Sequence, residues 1–183
     1  TSPHLKDFRE RIKINGESIS KENVTGFISN HKDYLDQNKL SFFEMTVGLA
    51  FNYFDNENVD VAIIEVWMGG RLDSTNIIKP ILSIITNISI DHTKFLGSNI
   101  SDIALEKAGI IKPGIPVVIG ETQEKIRKIF IETALENDSE ISFADDFKIK
   151  KFSSDLQGKY QRKNIITVHR ACLLYTSDAA DEC

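Results

Sequence analysis

Glu65 closes a mostly apolar run, VDVAIIE, and opens the loop VWMGGRLDSTN, which holds Gly69, Gly70, Arg71, Asp73 and Asn76. A second apolar run, ILSIITNISI, ends on Asp91 and His92. These are donors that a hard cation would use. Mg²⁺ takes oxygen ligands, keeps several waters and is usually held by one or two carboxylates together with phosphate oxygens. In an open parallel sheet, ligands bind outside the carboxyl ends of the strands. Two strand ends with ligand-type side chains therefore point to a shared Mg²⁺ and anion site. Plainer readings stay open for each residue: Glu65 as a solvated strand-end acid, His92 as a loop histidine or helix cap, Gly69 and Gly70 as a turn. Arg71 can pair with Asp73 or with an anionic substrate. Lys107, flanked by Glu106 and followed by Ala108 and Gly109, has the setting of a surface lysine.

The elements that must position these groups follow from periodicity. Residues 59–66, 81–90 and 115–120 are rich in Ile and Val without strict alternation, the pattern of strands buried on both faces. Helical segments between them complete an α/β class with a mainly parallel sheet. Ser20 is placed to N-cap a helix carrying Val24, Phe27, Ile28, Tyr34 and Leu35 on one side. Ser41 and Glu44 form an S-x-x-E capping box ahead of Phe43, Val47, Ala50, Phe51 and Phe54. Residues 101–109 and 123–136 are two further helices, the second using Ile126, Ile129, Phe130 and Ala134. Residues 141–152 are expected to form one or two strands, and a last helix begins near Tyr160. Asn15 and Gly16 mark a turn.

The chain has 183 residues, with 41% hydrophobic and 27% charged residues, which fits one globular domain with a real core. A net charge of −5 argues against a general nucleic-acid surface. No apolar run is long enough for a membrane span, and the polar opening TSPHLKDFRERI is unlike a signal peptide, so a cytoplasmic protein is expected. The only cysteines, Cys172 and Cys183, lie in CLLYTSDAADEC, which looks like a translated sequencing adapter. Residues 172–183 are therefore expected to be unstructured and to lie outside the domain, residues 1–171. Without Asp178, Asp181 and Glu182 the net charge is −2. No G-x-x-x-x-G-K-[ST] stretch is present.

Four blocks, TSPHLKDFRERIKING, EVWMGGRLDSTN, ITNISIDHTKFLG and IALEKAGIIKPGIPVV, together resemble folylpolyglutamate synthase/dihydrofolate synthase, of the Mur ligase superfamily. The resemblance runs from Thr1 to about Ala171 and implies most of a central ATP-binding domain, truncated at both ends. It implies an ATP-dependent ligase, monomeric, that joins L-glutamate to dihydropteroate or to folates through an acyl phosphate, with Mg²⁺ and ATP. Residue by residue, it makes Ser2, Glu65 and His92 Mg²⁺-site residues and Lys107 a carbamylated lysine near the cation. Phe43, Glu44, Leu72, Asp73 and Ser74 match the pterin neighbourhood, and Asn164 matches an asparagine near ATP. Glu44 is also the capping-box acid, and both roles cannot be assumed at once.

Two departures stand out. Tyr160 replaces a common His, and Trp67 replaces a Gly of the family's EVGLGGRLD. A small residue there suggests tight packing or a positive φ, in which an indole would be strained, displacing the loop and weakening substrate binding. The family's P-loop is not in the sequence, and neither is its C-terminal domain, so this polypeptide is expected to be an inactive fragment of an active parent, with sheet edge and apolar surface left bare. The alternative is a non-catalytic α/β binding domain without a P-loop. A different Mg²⁺-dependent phosphoryl-handling enzyme would need a second acidic cluster, and only Glu65 and Asp91 sit at strand ends.

Overall fold

The computed structural model describes residues 1–89, 99–147, 158 and 160–181. They form two compact units where one domain is expected over residues 1–171. The first joins Thr1–Trp67 to Asp73–Ile77; the second joins Met68–Leu72 to the described residues from Ile78 onward.

The first unit begins with a 3₁₀ turn, Phe8–Arg11, capped by Asp7. A hairpin follows, in which β1 (Lys13–Ile14) pairs antiparallel with β2 (Glu17–Ser18). Asn15 and Gly16 both have positive φ, 52° and 87°, as a tight two-residue hairpin turn requires. Helix α1 (Lys21–Asn38) starts where the Ser20 hydroxyl accepts the N–H of Asn23. Helix α2 (Phe42–Asn56) starts with both halves of its capping box made: the Ser41 hydroxyl accepts from Glu44 N–H, and the Glu44 carboxylate accepts from Ser41 N–H.

The hairpin supplies Ile12 and Ile19, and α2 supplies Leu49, to a small core on which Phe8, Val24, Phe27, Ala50, Tyr53 and Phe54 pack. The apolar side expected for α1 is thus used only in part. Val24 and Phe27 reach the core, whereas Ile28 and Tyr34 are exposed.

The second unit holds a parallel sheet in the order β3 (Ser83–Ile85), β4 (Val117–Ile119), β5 (Ile141–Phe143). Central β4 is completely buried, which explains its unbroken apolar sequence. Helices α3 (Ile100–Ala108) and α4 (Glu124–Glu136) contribute Ile103, Ala104, Ala108, Ile126, Phe130 and Ala134 to one core with Ile85, Val117 and Ile119. Helix α5 (Gln161–Asp181) packs against β4. At the end of β4, a Cβ on Gly120 would come within 2.5 Å of the Thr86 carbonyl oxygen and 2.6 Å of the Thr167 hydroxyl, so only glycine fits.

The α/β class with a parallel sheet flanked by helices is therefore present, with three corrections. Residues 59–66, expected as the first buried strand, lie in neither sheet, and Ile63 is 93% exposed. Strong β-propensity does not make a strand without a partner to accept and donate the ladder bonds. The expected strand over 141–152 stops at Phe143, where the chain turns into the 3₁₀ segment Ala144–Asp146. Its remaining residues from 148 lie outside the described ones. Residues 172–181 are not unstructured; they continue α5 to Asp181 because nothing in LLYTSDAAD breaks a helix already nucleated upstream. Among the described residues no helix is long and apolar enough to cross a membrane.

Two substitutions test this packing. Phe130 is 2% exposed in the larger core, so Phe130→Ala should destabilise the protein by about 3–5 kcal/mol. Ser41→Ala removes a single cap and should cost about 1 kcal/mol. Urea unfolding midpoints read both.

Candidate functional site

In the first unit a cavity of about 130 Å³ opens between the hairpin, α2 and residues 63–65. Its apolar wall includes Ile12, Phe43, Val47, Phe51 and Phe54, and its polar residues are Thr1, Ser2, Arg11, Lys13, Thr46, Glu65 and Thr75. An apolar cleft with a few convergent polar groups is the usual form of a small-molecule site.

Glu65 and Ser2 meet there. The Ser2 N–H donates to the Glu65 Oε2 at 2.8 Å, joining residues 63 positions apart. The Glu65 carboxylate is otherwise exposed, and its Oε1 has no hydrogen-bond partner among the described residues. Phe43 faces the same cavity and carries the Trp67 ring on it, with centroids 4.9 Å apart. Ser2, Phe43 and Glu65, all three implied by the family resemblance, line one cleft.

The donor set suits Mg²⁺ better than a softer metal. Glu65 offers a carboxylate and Ser2 a hydroxyl, both hard oxygen donors, and one open carboxylate matches an ion that keeps its waters and phosphate ligands. Among the described residues no group of three His, Cys, Asp or Glu side chains is gathered. Asp91 and His92, the other expected strand-end donors, lie outside the described residues.

Other expected site residues are committed to the fold. The buried Asp73 accepts from Trp67 N–H through Oδ2, and from the Thr75 N–H and hydroxyl through Oδ1, at 3.0, 2.9 and 2.6 Å. That fixes the turn into the 3₁₀ segment Ser74–Ile77, whose first residue is Ser74. Glu44 is held by its capping box, and the Ser41 hydrogen bonds lower its carboxyl pKa from the usual value. Of its two possible roles the structure therefore shows the cap.

In the second unit Leu72 is exposed, and Lys107 sits half-buried near the end of α3. Asn164 is exposed in the first turn of α5, where its amide donates to Gln161 Oε1 at 3.3 Å.

The glycine-rich loop is explained by packing. Gly69 has φ 71°. A Cβ on Gly70 would fall 2.6 Å from the Glu106 carbonyl oxygen, so the backbone lies directly against α3. Arg71 anchors the same approach. Its N–H donates to the Glu106 carbonyl at 2.9 Å, and its guanidinium meets the Glu106 carboxylate at 2.8 Å. Gly70 allows the close approach to α3 that this pairing of Arg71 with Glu106 needs.

The expected strain at Trp67 is also absent. The positive-φ position of this loop is Gly69, and Trp67 is not among the non-glycine residues with positive φ. The indole lies half-exposed on Phe43 instead of being forced into a tight space.

Sequence reading missed Arg11 and Lys13 as lining residues. The only signal was charged residues flanking Ile12 in ERIKI, which places two charges beside one core anchor.

The Glu44 box has a pH signature. A lowered folded-state pKa contributes stability that is present above the unfolded value and is lost as pH falls through the folded one. Acidification should therefore weaken the wild type more than Glu44→Gln over that window. Urea midpoints for both proteins, measured at neutral pH and below the folded pKa, check this.

Comparison with known proteins agrees with the geometry. The model for the Mur ligase middle domain matches residues 17–168. A dihydrofolate synthase/folylpolyglutamate synthase of Bacillus subtilis is 37% identical over 193 residues, covering 90% of this chain and 45% of that protein. A solved FPGS–AMPPCP–folate complex superposes with a TM-score of 0.89 at 32% identity, covering 98% of this chain and 51% of that one. E. coli FolC in complex with DHPP and ADP superposes with a TM-score of 0.72 at 31% identity, covering 78% and 34%. The chain spans about half the length of such relatives or less. With an open acid–serine pair in an apolar cleft, a parallel α/β core and a family match over most of its length, the chain belongs to the folylpolyglutamate synthase/dihydrofolate synthase family of Mur ligases, within their middle domain.

Proposed function

We propose that the chain is the nucleotide- and pterin-facing part of an ATP-dependent carboxylate–amine ligase. In the proposed reaction a carboxylate oxygen of dihydropteroate, or of the last glutamate on a folate, takes the γ-phosphoryl group of ATP, and ADP leaves. The amine of L-glutamate then attacks the acyl carbon, phosphate departs with the carbon–oxygen bond, and the nitrogen loses a proton as the amide forms. The observation that carries the proposal is the Glu65 carboxylate, open to a cleft and joined to Ser2 across the unit. The complexes of relatives with AMPPCP and folate, and with DHPP and ADP, support the same substrate classes.

Phosphoryl transfer asks a protein mainly for positioning and for cancellation of negative charge. Mg²⁺, when bound, supplies that cancellation on the phosphate oxygens. Glu65, Ser2 and His92 are the residues we assign to hold it. Phe43 gives the cleft a flat aromatic wall suited to a pteridine, and Glu44, Leu72, Asp73 and Ser74 are assigned to the pterin side by the family resemblance. Asn164 is assigned to the ATP side. Lys107 is assigned as a lysine that gains a carboxylate by carbamylation, which turns a cation into an oxygen donor. Intact mass analysis would show that group as one added CO₂.

Because the chain spans 45% of the Bacillus relative, turnover is to be measured in the full-length protein that contains it. Glutamate-dependent ADP release with dihydropteroate or tetrahydrofolate identifies the acceptor. Glu65→Gln should lower kcat on the order of 100-fold and raise the Mg²⁺ concentration needed for half-maximal rate. Unchanged turnover and unchanged Mg²⁺ dependence in that variant would overturn the assignment.

A further inference from the structure

The loop that brings Ser2 to Glu65 has no secondary structure of its own, yet, besides the Thr1 ammonium that donates to the Arg11 carbonyl at 2.7 Å, it is fixed at three places. The first is the Ser2 N–H on Glu65. The second is His4, whose Nδ1 accepts the Nε–H of Arg11 at 2.9 Å. The third is the Glu10 carboxylate. Its Oε2 accepts the N–H of Leu5 at 2.8 Å, and its Oε1 accepts those of Lys6 and Asp7 at 3.1 and 2.9 Å.

Three successive backbone N–H groups converging on one point form a concavity of the kind that elsewhere binds an anion. Here the chain fills it with its own carboxylate. Asp7, at the end of the loop, accepts the Arg9 N–H and pairs with the Arg9 guanidinium. Residues 9–11 thus hold the loop by their side chains and, at Thr1, by the Arg11 carbonyl, all from the 3₁₀ turn Phe8–Arg11.

We propose that Glu10 is a positioning residue for the reaction: by gathering the N–H groups of Leu5, Lys6 and Asp7, it sets the loop that places Ser2 on Glu65. Arg11 assists by holding His4 and stacks on the Phe42 ring at 5.6 Å. The hydrogen bonds from Leu5 and Asp7 also lower the Glu10 pKa, so it stays an acceptor-only carboxylate in neutral solution. Alanine at position 10 leaves three adjacent N–H groups to water and frees the loop to move away from the cation side of the cleft. Glutamine keeps one acceptor oxygen but turns an NH₂ toward a donor, so its effect lies between.

This inference rests on the assignment of Glu65 to the Mg²⁺ site, and a double-variant cycle separates the two. In the full-length protein, Glu10→Ala should raise the half-saturating Mg²⁺ concentration roughly tenfold, the scale of lost outer-shell support, with Glu10→Gln intermediate. Added to Glu65→Gln, it should produce little further loss, because the charged cation ligand that the loop supports is already lost while the glutamine oxygen still accepts the Ser2 N–H. Hydrogen exchange should show faster exchange at Ser2, Leu5, Lys6 and Asp7 in both Glu10 variants, with α2 unchanged. Losses that multiply in the double variant, unaltered exchange in the loop, or a Glu10→Ala protein with normal Mg²⁺ dependence and only a lower Tm would each overturn the proposal. If Glu65→Gln itself changes nothing, the Glu65 assignment fails first and the catalytic role of Glu10 falls with it. Loop exchange that still quickens in Glu10→Ala would then mark Glu10 as structural alone.

Discussion

One hydrogen bond organises the first unit: the Ser2 N–H on the Glu65 carboxylate, 63 residues away in sequence. It closes the cleft on its polar side while the apolar face of α2 closes the other. A carboxylate at such a point has a choice of partners. Were it buried in an ion pair, its charge would be neutralised and it would have little left for a ligand. Holding one backbone N–H, with no further hydrogen bond to it among the described residues, it is oriented along the cleft it lines. Orientation at low cost in charge is what a Mg²⁺–phosphate site requires of its protein ligands.

The polar residues of the two units divide by use. Asp73, Glu44, Arg71 and Glu106 are engaged in turns, caps and an interelement ion pair, and each has a local structural reason to be where it is. Glu65, Lys13 and Arg11 face the cleft. Arg71 illustrates why residue type alone misleads. A guanidinium beside a glycine pair suggests an anion site, but Gly70 allows so close an approach to α3 that the Glu106 carbonyl and carboxylate take both its N–H and its side chain. The glycine pair serves backbone contact first.

Much of the architecture was legible because its causes are local. The Ser41–Glu44 box, the Asn15 and Gly16 turn and the apolar periodicity of α4 each act within a few residues, and the structure has all three. The buried parallel strand at 117–119 was legible from an unbroken apolar run. The rest depends on partners distant in sequence. Residues 59–66 have the composition of a buried strand, but composition does not supply a neighbour, and Ile63 stands exposed. Glu10 carries no periodic signal; its role depends on the loop folding back so that three N–H groups point at one carboxylate. Family resemblance placed Ser2 and Glu65 each at a cation site, but their hydrogen bond was not foreseen, since nothing local links residues so far apart. Trp67 shows the reverse error: a strain inferred from substitution vanished because positive φ falls two residues later, at Gly69.

The central claim is that the open Glu65 oxygen faces a divalent cation held with nucleotide phosphate. The most direct measurement is an anomalous difference map of the full-length protein crystallised with Mn²⁺ in place of Mg²⁺ and a non-hydrolysable ATP analogue. The account predicts a Mn²⁺ peak bonded to the Glu65 carboxylate on the side of the cleft that carries Ser2. A peak bound wholly by other residues, with Glu65 turned to solvent, would contradict it.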